Sequence, residues 1–177
     1  IVSKRDSYAI RISGLVEGDH NFSFELDQKF FASLEESEIE KGNVNAGIRL
    51  EKKVGLLALH FKLEGEVEIM CDRCLEPLTN KIFTEQVIFV KLGESYDEIE
   101  DDVIVIHRDD HEIEVAQYMY EFILLGLPFQ RVHEDDENGV SLCNAEMIRK
   151  LEEHQIPEKK DNNTDPRWDG LKGITEK

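Results

Sequence analysis

The sequence has no long apolar run, only three cysteines, and few basic residues for its acidic content. No stretch approaches the roughly 18 apolar residues that a membrane helix needs. Residues 1–5 also lack the apolar core of a secretory signal, so we expect a soluble, cytoplasmic protein. An odd number of cysteines argues against a framework of disulfides. With 177 residues, of which 40% are hydrophobic, the chain can still bury a core.

The scarcity of basic residues sets the charge of the molecule. Lysine and arginine number 21 against 39 aspartates and glutamates, which gives a formal net charge of −18. Such a charge repels phosphate and attracts basic surfaces. We therefore expect naked nucleic acid to be a poor partner.

Alternation of apolar and polar residues predicts strands in much of the first two thirds of the chain. It occurs in residues 8–26, 44–50, 57–69, 82–90 and 103–106. The acidic stretch 94–102 cannot pack against a core, so it is predicted to be an exposed loop.

Helical spacing is clearest from Ile113 to Leu127, which predicts one long helix that ends at Pro128. Asn144 can cap a second, short helix that runs to about His154. A further short helix is predicted between Lys29 and Lys41. Together these elements predict an α+β fold, in which a mostly antiparallel sheet, possibly curled toward a barrel, carries the long helix. We expect this domain to span residues 1–156, followed by a polar linker and tail, 157–177.

Two of the cysteines form a Cys71-x-x-Cys74 knuckle on a turn between predicted strands. Thiolates at this spacing can face one cation, and tetrahedral zinc needs four ligands. His133 and Cys143 would complete a Cys₃His set. The alternatives are a surface histidine beside a small buried cysteine, or a knuckle that binds nothing and only shapes a turn. A redox role is disfavoured, because redox CxxC motifs begin a helix.

Signatures of common enzymes are missing from the sequence, which has no P-loop, no GxGxxG after a strand, no HExxH and no GxSxG. We therefore assign no catalytic residue. Candidates for partner binding are Arg167 and Trp168, since an aromatic ring beside a cation can stack on a base. Trp168 could equally pack the tail onto the body of the protein.

Several short motifs follow one another along the chain: ISGL at 12–15, MCDRCLEPL at 70–78, LGLP at 125–128, VHE at 132–134, Cys143, and DPRWDGL at 165–171. Their order resembles the YceD family, whose members are described as needed for accumulation of the large-subunit ribosomal RNA. One departure is the nine residues that separate His133 from Cys143, a longer loop than the family leads us to expect.

The resemblance implies a role in synthesis, processing or stability of the large-subunit (23S) ribosomal RNA. Combined with the acidic charge, it favours a non-catalytic factor that binds a ribosomal protein or a pre-ribosomal particle. The ligand types at Cys71, Cys74, His133 and Cys143 add a structural zinc ion as a candidate cofactor. One alternative is a metal-dependent hydrolase or nuclease acting on RNA. Another is a metal-free protein-interaction module.

Overall fold

A large, mostly antiparallel sheet of six strands makes up most of the structure, and a second sheet has two short strands. The computed structural model describes residues 8–34, 37–94, 96–100, 102–154 and 167, of which 48% lie in strands and 19% in helices. The elements are β1 (Ala9–Arg11), β2 (Gly18–Leu26), α1 (Gln28–Ser33), β3 (Lys41–Lys53), β4 (Leu56–Met70), β5 (Pro77–Gly93), β6 (Asp97–Glu100), β7 (Val103–His107), β8 (Glu112–Glu114), α2 (Ala116–Leu125) and α3 (Ala145–His154).

The larger sheet has six strands in the order β2-β3-β4-β5-β7-β6, and β1 pairs with β8 in a separate two-stranded sheet. Alternate residues of β3 and β4 face the core, including Val44, Ile48, Leu59 and Leu63. Most of their neighbours in sequence, such as Asn45, Arg49 and Lys62, are polar and exposed on the opposite face. This is the period of two that the alternation predicted.

The expectation of a barrel is wrong. In the described part of the chain, the large sheet ends at β2 on one side and β6 on the other, and it does not close. The chain leaves β5, forms β6 at the edge, and returns as β7 parallel to β5. The acidic stretch predicted as a loop therefore contains an edge strand.

The single long helix is also wrong, and the three described helices are all short. Glu112–Glu114 pairs with β1, which places Ile113 opposite Ile10 with both side chains buried. The helical spacing at Ile113 was therefore accidental, since one inward residue fits either period. Within the stretch predicted as one long helix, only α2 is helical. Its Phe122 ring packs edge-on against Phe61 of the sheet, with ring centroids 5.1 Å apart.

The first helix is shorter than predicted. It begins after Asp27, whose carboxylate accepts hydrogen bonds from the backbone amides of Lys29 and Phe30. It ends at Ser33, and Lys41 already belongs to β3. Phe30 and Phe31 are fully buried, so α1 covers one end of the inner sheet face.

The two longest adjacent strands, β4 and β5, are paired from Leu56 opposite Lys91 to Met70 opposite Pro77. The CxxC knuckle connects them at one end of this ribbon. The β3–β4 turn, at Val54 and Gly55, lies at the other end. At about 3.3 Å per residue, the 15 residues of β4 separate the two ends by roughly 45 Å. The predicted boundary at residue 156 and the linker 157–177 fall almost wholly outside the described residues and stay predictions.

Gly65 allows β3 and β4 to approach closely. A Cβ atom there would meet the carbonyl oxygen of Asn43 and lie 2.6 Å from the Cα of Val44. We expect Gly65→Ala to lower the free energy of unfolding in urea by about 1–3 kcal/mol, because backbone cannot move aside cheaply. In the matched control, Gly47→Ala, the nearest atom would be 3.8 Å away. The control should change stability by less than about 0.5 kcal/mol; equal losses would contradict the steric explanation.

Candidate metal centre

The four side chains predicted as metal ligands lie together at the knuckle end of the sheet. Cys71, Cys74, His133 and Cys143 each place one ligand atom within 4.8 Å of the others. All three cysteines are free and buried. The cluster therefore joins the β4–β5 connection to the segment that follows α2.

The spacing of these atoms suits a tetrahedral ion. The Sγ atoms of Cys71 and Cys143 are 3.7 Å apart, and Nδ1 of His133 lies 3.5 Å from Sγ of Cys74 and 3.8 Å from Sγ of Cys143. Zinc with bonds of about 2.3 Å to sulfur and 2.0 Å to nitrogen places neighbouring ligand atoms roughly 3.5–3.8 Å apart. The four residues are thus close enough to hold a metal ion.

The knuckle is a tight turn closed by its own backbone. The amide of Leu75 donates to the carbonyl of Cys71, and the amide of Cys71 donates to the carbonyl of Glu76, both at 2.9 Å. Leu75 adopts a φ of 60°, a left-handed conformation that is rare for a branched side chain. This turn directs both cysteine side chains inward and leaves the leucine outside.

The His133 segment is clamped to the knuckle through Asp72 and Arg131. The Asp72 amide donates to the Arg131 carbonyl at 2.8 Å, and the Arg131 amide donates to the Asp72 carboxylate at 3.1 Å. The His133 ring then lies with Nε2 3.2 Å from the carbonyl of Pro77. Donation from Nε2 to that carbonyl leaves the lone pair of Nδ1 directed at the sulfurs, as in many metal-binding histidines. Sequence reasoning missed this clamp, because nothing in the sequence pairs Asp72 with Arg131.

The long loop between His133 and Cys143 does not prevent their convergence. It folds back on itself, since the Asp136 carboxylate accepts from the amides of Asn138 and Val140, and the Leu142 amide donates to the Glu134 carbonyl at 3.2 Å. The loop therefore closes at its base and returns the chain to the cluster.

The surroundings of two of the thiols lower their pKa and so shift them toward the thiolate form that a metal requires. Burial raises the pKa of Cys71, but amides of Cys74, Arg73 and His133 directed at its sulfur outweigh burial and lower the pKa to about 6. A hydrogen bond with the Ser141 side chain lowers the pKa of Cys143 despite burial. The surroundings of Cys71 and Cys143 thus stabilise negative charge on these two sulfurs.

The pKa values of the other two residues of the cluster, Cys74 and His133, are raised. Burial raises the pKa of Cys74, and the amides of Asn144 and Glu76 offset only part of that increase. The hydrogen bond with Cys143 raises the pKa of His133 above its usual value, although burial opposes it. The raised pKa of His133 means that the nearby sulfurs stabilise its protonated, positively charged ring. The same sulfurs would attract a metal cation.

Helix α3 covers the cluster on its remaining side. Asn144 caps this helix, as predicted, and its side-chain oxygen accepts from the amides of Glu146 and Met147. Half-buried Met147 and Ile148 pack against the cysteines. Of the two predicted partner-binding residues, Arg167 is exposed, whereas Trp168 lies outside the described residues.

A comparison with family models identifies the family of the chain. The model described as "Large ribosomal RNA subunit accumulation protein YceD" matches residues 59–175. The chain belongs to the YceD family. The match to the YceD model begins within β4 and includes all four clustered residues. Neither the curated proteins nor the solved structures gave a match. Among the described residues, no helix is long and apolar enough to cross a membrane.

The cap of α3 should contribute to stability. Asn144→Ala removes the oxygen that accepts two helix amides, so we expect the free energy of unfolding to fall by about 1 kcal/mol. Asn144→Ser restores a capping oxygen and should recover most of the loss. Urea denaturation of both variants checks this; a serine variant as unstable as the alanine variant would contradict the capping role.

Proposed function

We propose that this YceD-family protein supports accumulation of the large-subunit ribosomal RNA as a non-catalytic factor that binds a ribosomal protein or a pre-ribosomal particle. We include in this proposal a structural zinc ion held by Cys71, Cys74, His133 and Cys143. The family description supplies the link to ribosomal RNA. The cluster of three cysteines and one histidine is the observation that supports a structural zinc ion and a non-catalytic role, because such a set of side chains suits a structural metal site better than a catalytic one.

The donor set favours a structural ion over a catalytic one. Structural zinc is closed by four protein ligands, whereas catalytic zinc keeps one position for water or substrate. Here three thiols and one imidazole account for all four positions, and the sulfurs are buried. The ion would fasten the segment after α2 to the knuckle. This set of ligands disfavours the alternative of a metal-dependent RNA hydrolase.

The charge of the protein favours a basic partner. A net charge of −18 repels an RNA backbone and raises the rate of encounter with positively charged proteins. Ribosomal proteins that bind RNA carry such positive charge. A bound ribosomal protein or particle would therefore explain how an acidic chain acts on an RNA.

Zinc content tests the metal proposal. We expect about one zinc ion per chain in protein purified without added metal, and loss of most of it in His133→Ala, since three ligands remain. His111→Ala is the control, because exposed His111 lies outside the cluster. Elemental analysis and thermal melting with and without a chelator measure the effect. Wild-type protein without metal, or equal zinc in both variants, would end the proposal.

The ratio of large-subunit to small-subunit ribosomal RNA in cells tests the function. Depletion of the protein should lower this ratio, and wild-type or His111→Ala protein should restore it, whereas His133→Ala should restore it poorly. A separate reaction of zinc-loaded protein with precursor RNA should show no cleavage. Specific cleavage in that reaction would support the nuclease alternative instead.

A further inference from the structure

Exposed apolar side chains concentrate around the candidate metal centre. Eleven large hydrophobic residues of the described chain are exposed, and six of them lie in the knuckle, in the segment from 129 to 142, in α3, or next to these elements: Met70, Leu75, Phe129, Val140, Leu142 and Leu151. Phe129 is fully exposed. Single exposed apolar residues are ordinary on protein surfaces, but such a concentration indicates a contact site.

We propose that Leu75, Phe129, Val140 and Leu142, here called the knuckle rim, form a docking surface for a basic segment of a ribosomal protein that also carries apolar side chains. This inference rests on the proposed function and names the surface that performs it.

The knuckle rim is held in place by hydrogen bonds of its own backbone. Leu75 donates to Cys71, Leu142 donates to Glu134, and the Val140 amide donates to the Asp136 carboxylate at 2.8 Å. The Phe129 segment is tied down two residues later by the clamp between Arg131 and Asp72. A preorganised surface loses little conformational entropy on binding, so its exposed apolar area can contribute to affinity.

Charge around the knuckle rim selects a basic partner. Residues 71–76 and 129–143 contain six acidic residues and two arginines, a net charge of −4. Glu134, Asp135 and Glu137 are exposed and form no ion pair with a described residue, while Arg131 is paired with Glu38. Three thiolates with a divalent ion would add one further negative charge.

The same charge disfavours other occupants. Phosphates of RNA and anionic lipid surfaces would be repelled, and a second copy of this chain would bring an equally acidic knuckle rim against the first. A basic segment with apolar anchors satisfies both features of the surface, since its cations pair with the acids and its anchors cover the rim.

Binding of labelled probes by the full zinc-containing chain tests the inference. The first probe is a peptide in which lysine and arginine alternate with leucine, the second replaces leucine by serine, and the third is single-stranded RNA of equal length. We expect the leucine peptide to bind most tightly. The double variant Phe129→Ser and Leu142→Ser should weaken that binding about tenfold or more. The control, Val16→Ser with Val54→Ser, removes two exposed valines far from the knuckle rim in sequence and should bind normally.

Charge variants show whether the peptide is attracted by the acidic residues near the knuckle rim or by the net charge of the whole protein. Glu134→Gln, Asp135→Asn and Glu137→Gln together should weaken binding and reduce its salt dependence. Glu25→Gln, Glu64→Gln and Glu85→Gln change the net charge equally, but they lie on the outer face of the sheet and should have little effect. Tighter binding of RNA, or equal effects of variants and controls, would overturn the inference. Unchanged zinc content and melting confirm that each variant folds.

A capture experiment tests the inference and the proposed function separately. Wild-type and variant protein are immobilised and mixed with the proteins of dissociated large ribosomal subunits. Wild-type protein should retain one or more basic proteins, and the Phe129/Leu142 variant should lose them. If wild type and variant retain the same proteins, the knuckle rim is wrong but the proposed function stands. If wild type retains none, the proposed protein partner is wrong as well.

Discussion

The pairing of β4 with β5 is the constraint on which the rest of the structure depends. Its register runs unbroken from Leu56 opposite Lys91 to Met70 opposite Pro77. A shift by one residue would turn Leu57, Leu59 and Phe61 to the solvent face, so the buried core fixes the register. That register in turn fixes where the strands separate, and so where the two knuckle cysteines lie.

The cluster of Cys71, Cys74, His133 and Cys143 lies where two parts of the chain meet that the sheet alone leaves apart. In the described contacts, α2 packs on the inner face of β4 and β5, but the segment after it is attached mainly at the knuckle. Among the described residues, the apolar side chains packed against the cysteines are Leu78, Val132, Met147 and Ile148. A satellite cluster of this size gives little hydrophobic stabilisation, which is why coordination or hydrogen bonds matter more there.

Local chemistry made part of this structure predictable. Alternation predicted the long strands, and the ligand types at Cys71, Cys74, His133 and Cys143 predicted a group that the fold brings together. The sheet order and the strand at Ile113 depend instead on partners far away in sequence, namely β7 beside β5 and Ile10 opposite Ile113. A single apolar residue fits both a helix and a strand, and only its distant partner decides between them.

The separation of the cysteines along the chain has a consequence for synthesis. Cys71 and Cys143 are 72 residues apart, and β5, β7 and α2 lie between them. During translation the β3–β4–β5 meander, whose contacts are local, can form while Cys143 is still within the ribosome. The knuckle alone offers a cation only two thiolates. All four clustered side chains are therefore available to a cation only after the sheet can already be in place, so a bound ion would close a large loop late in synthesis.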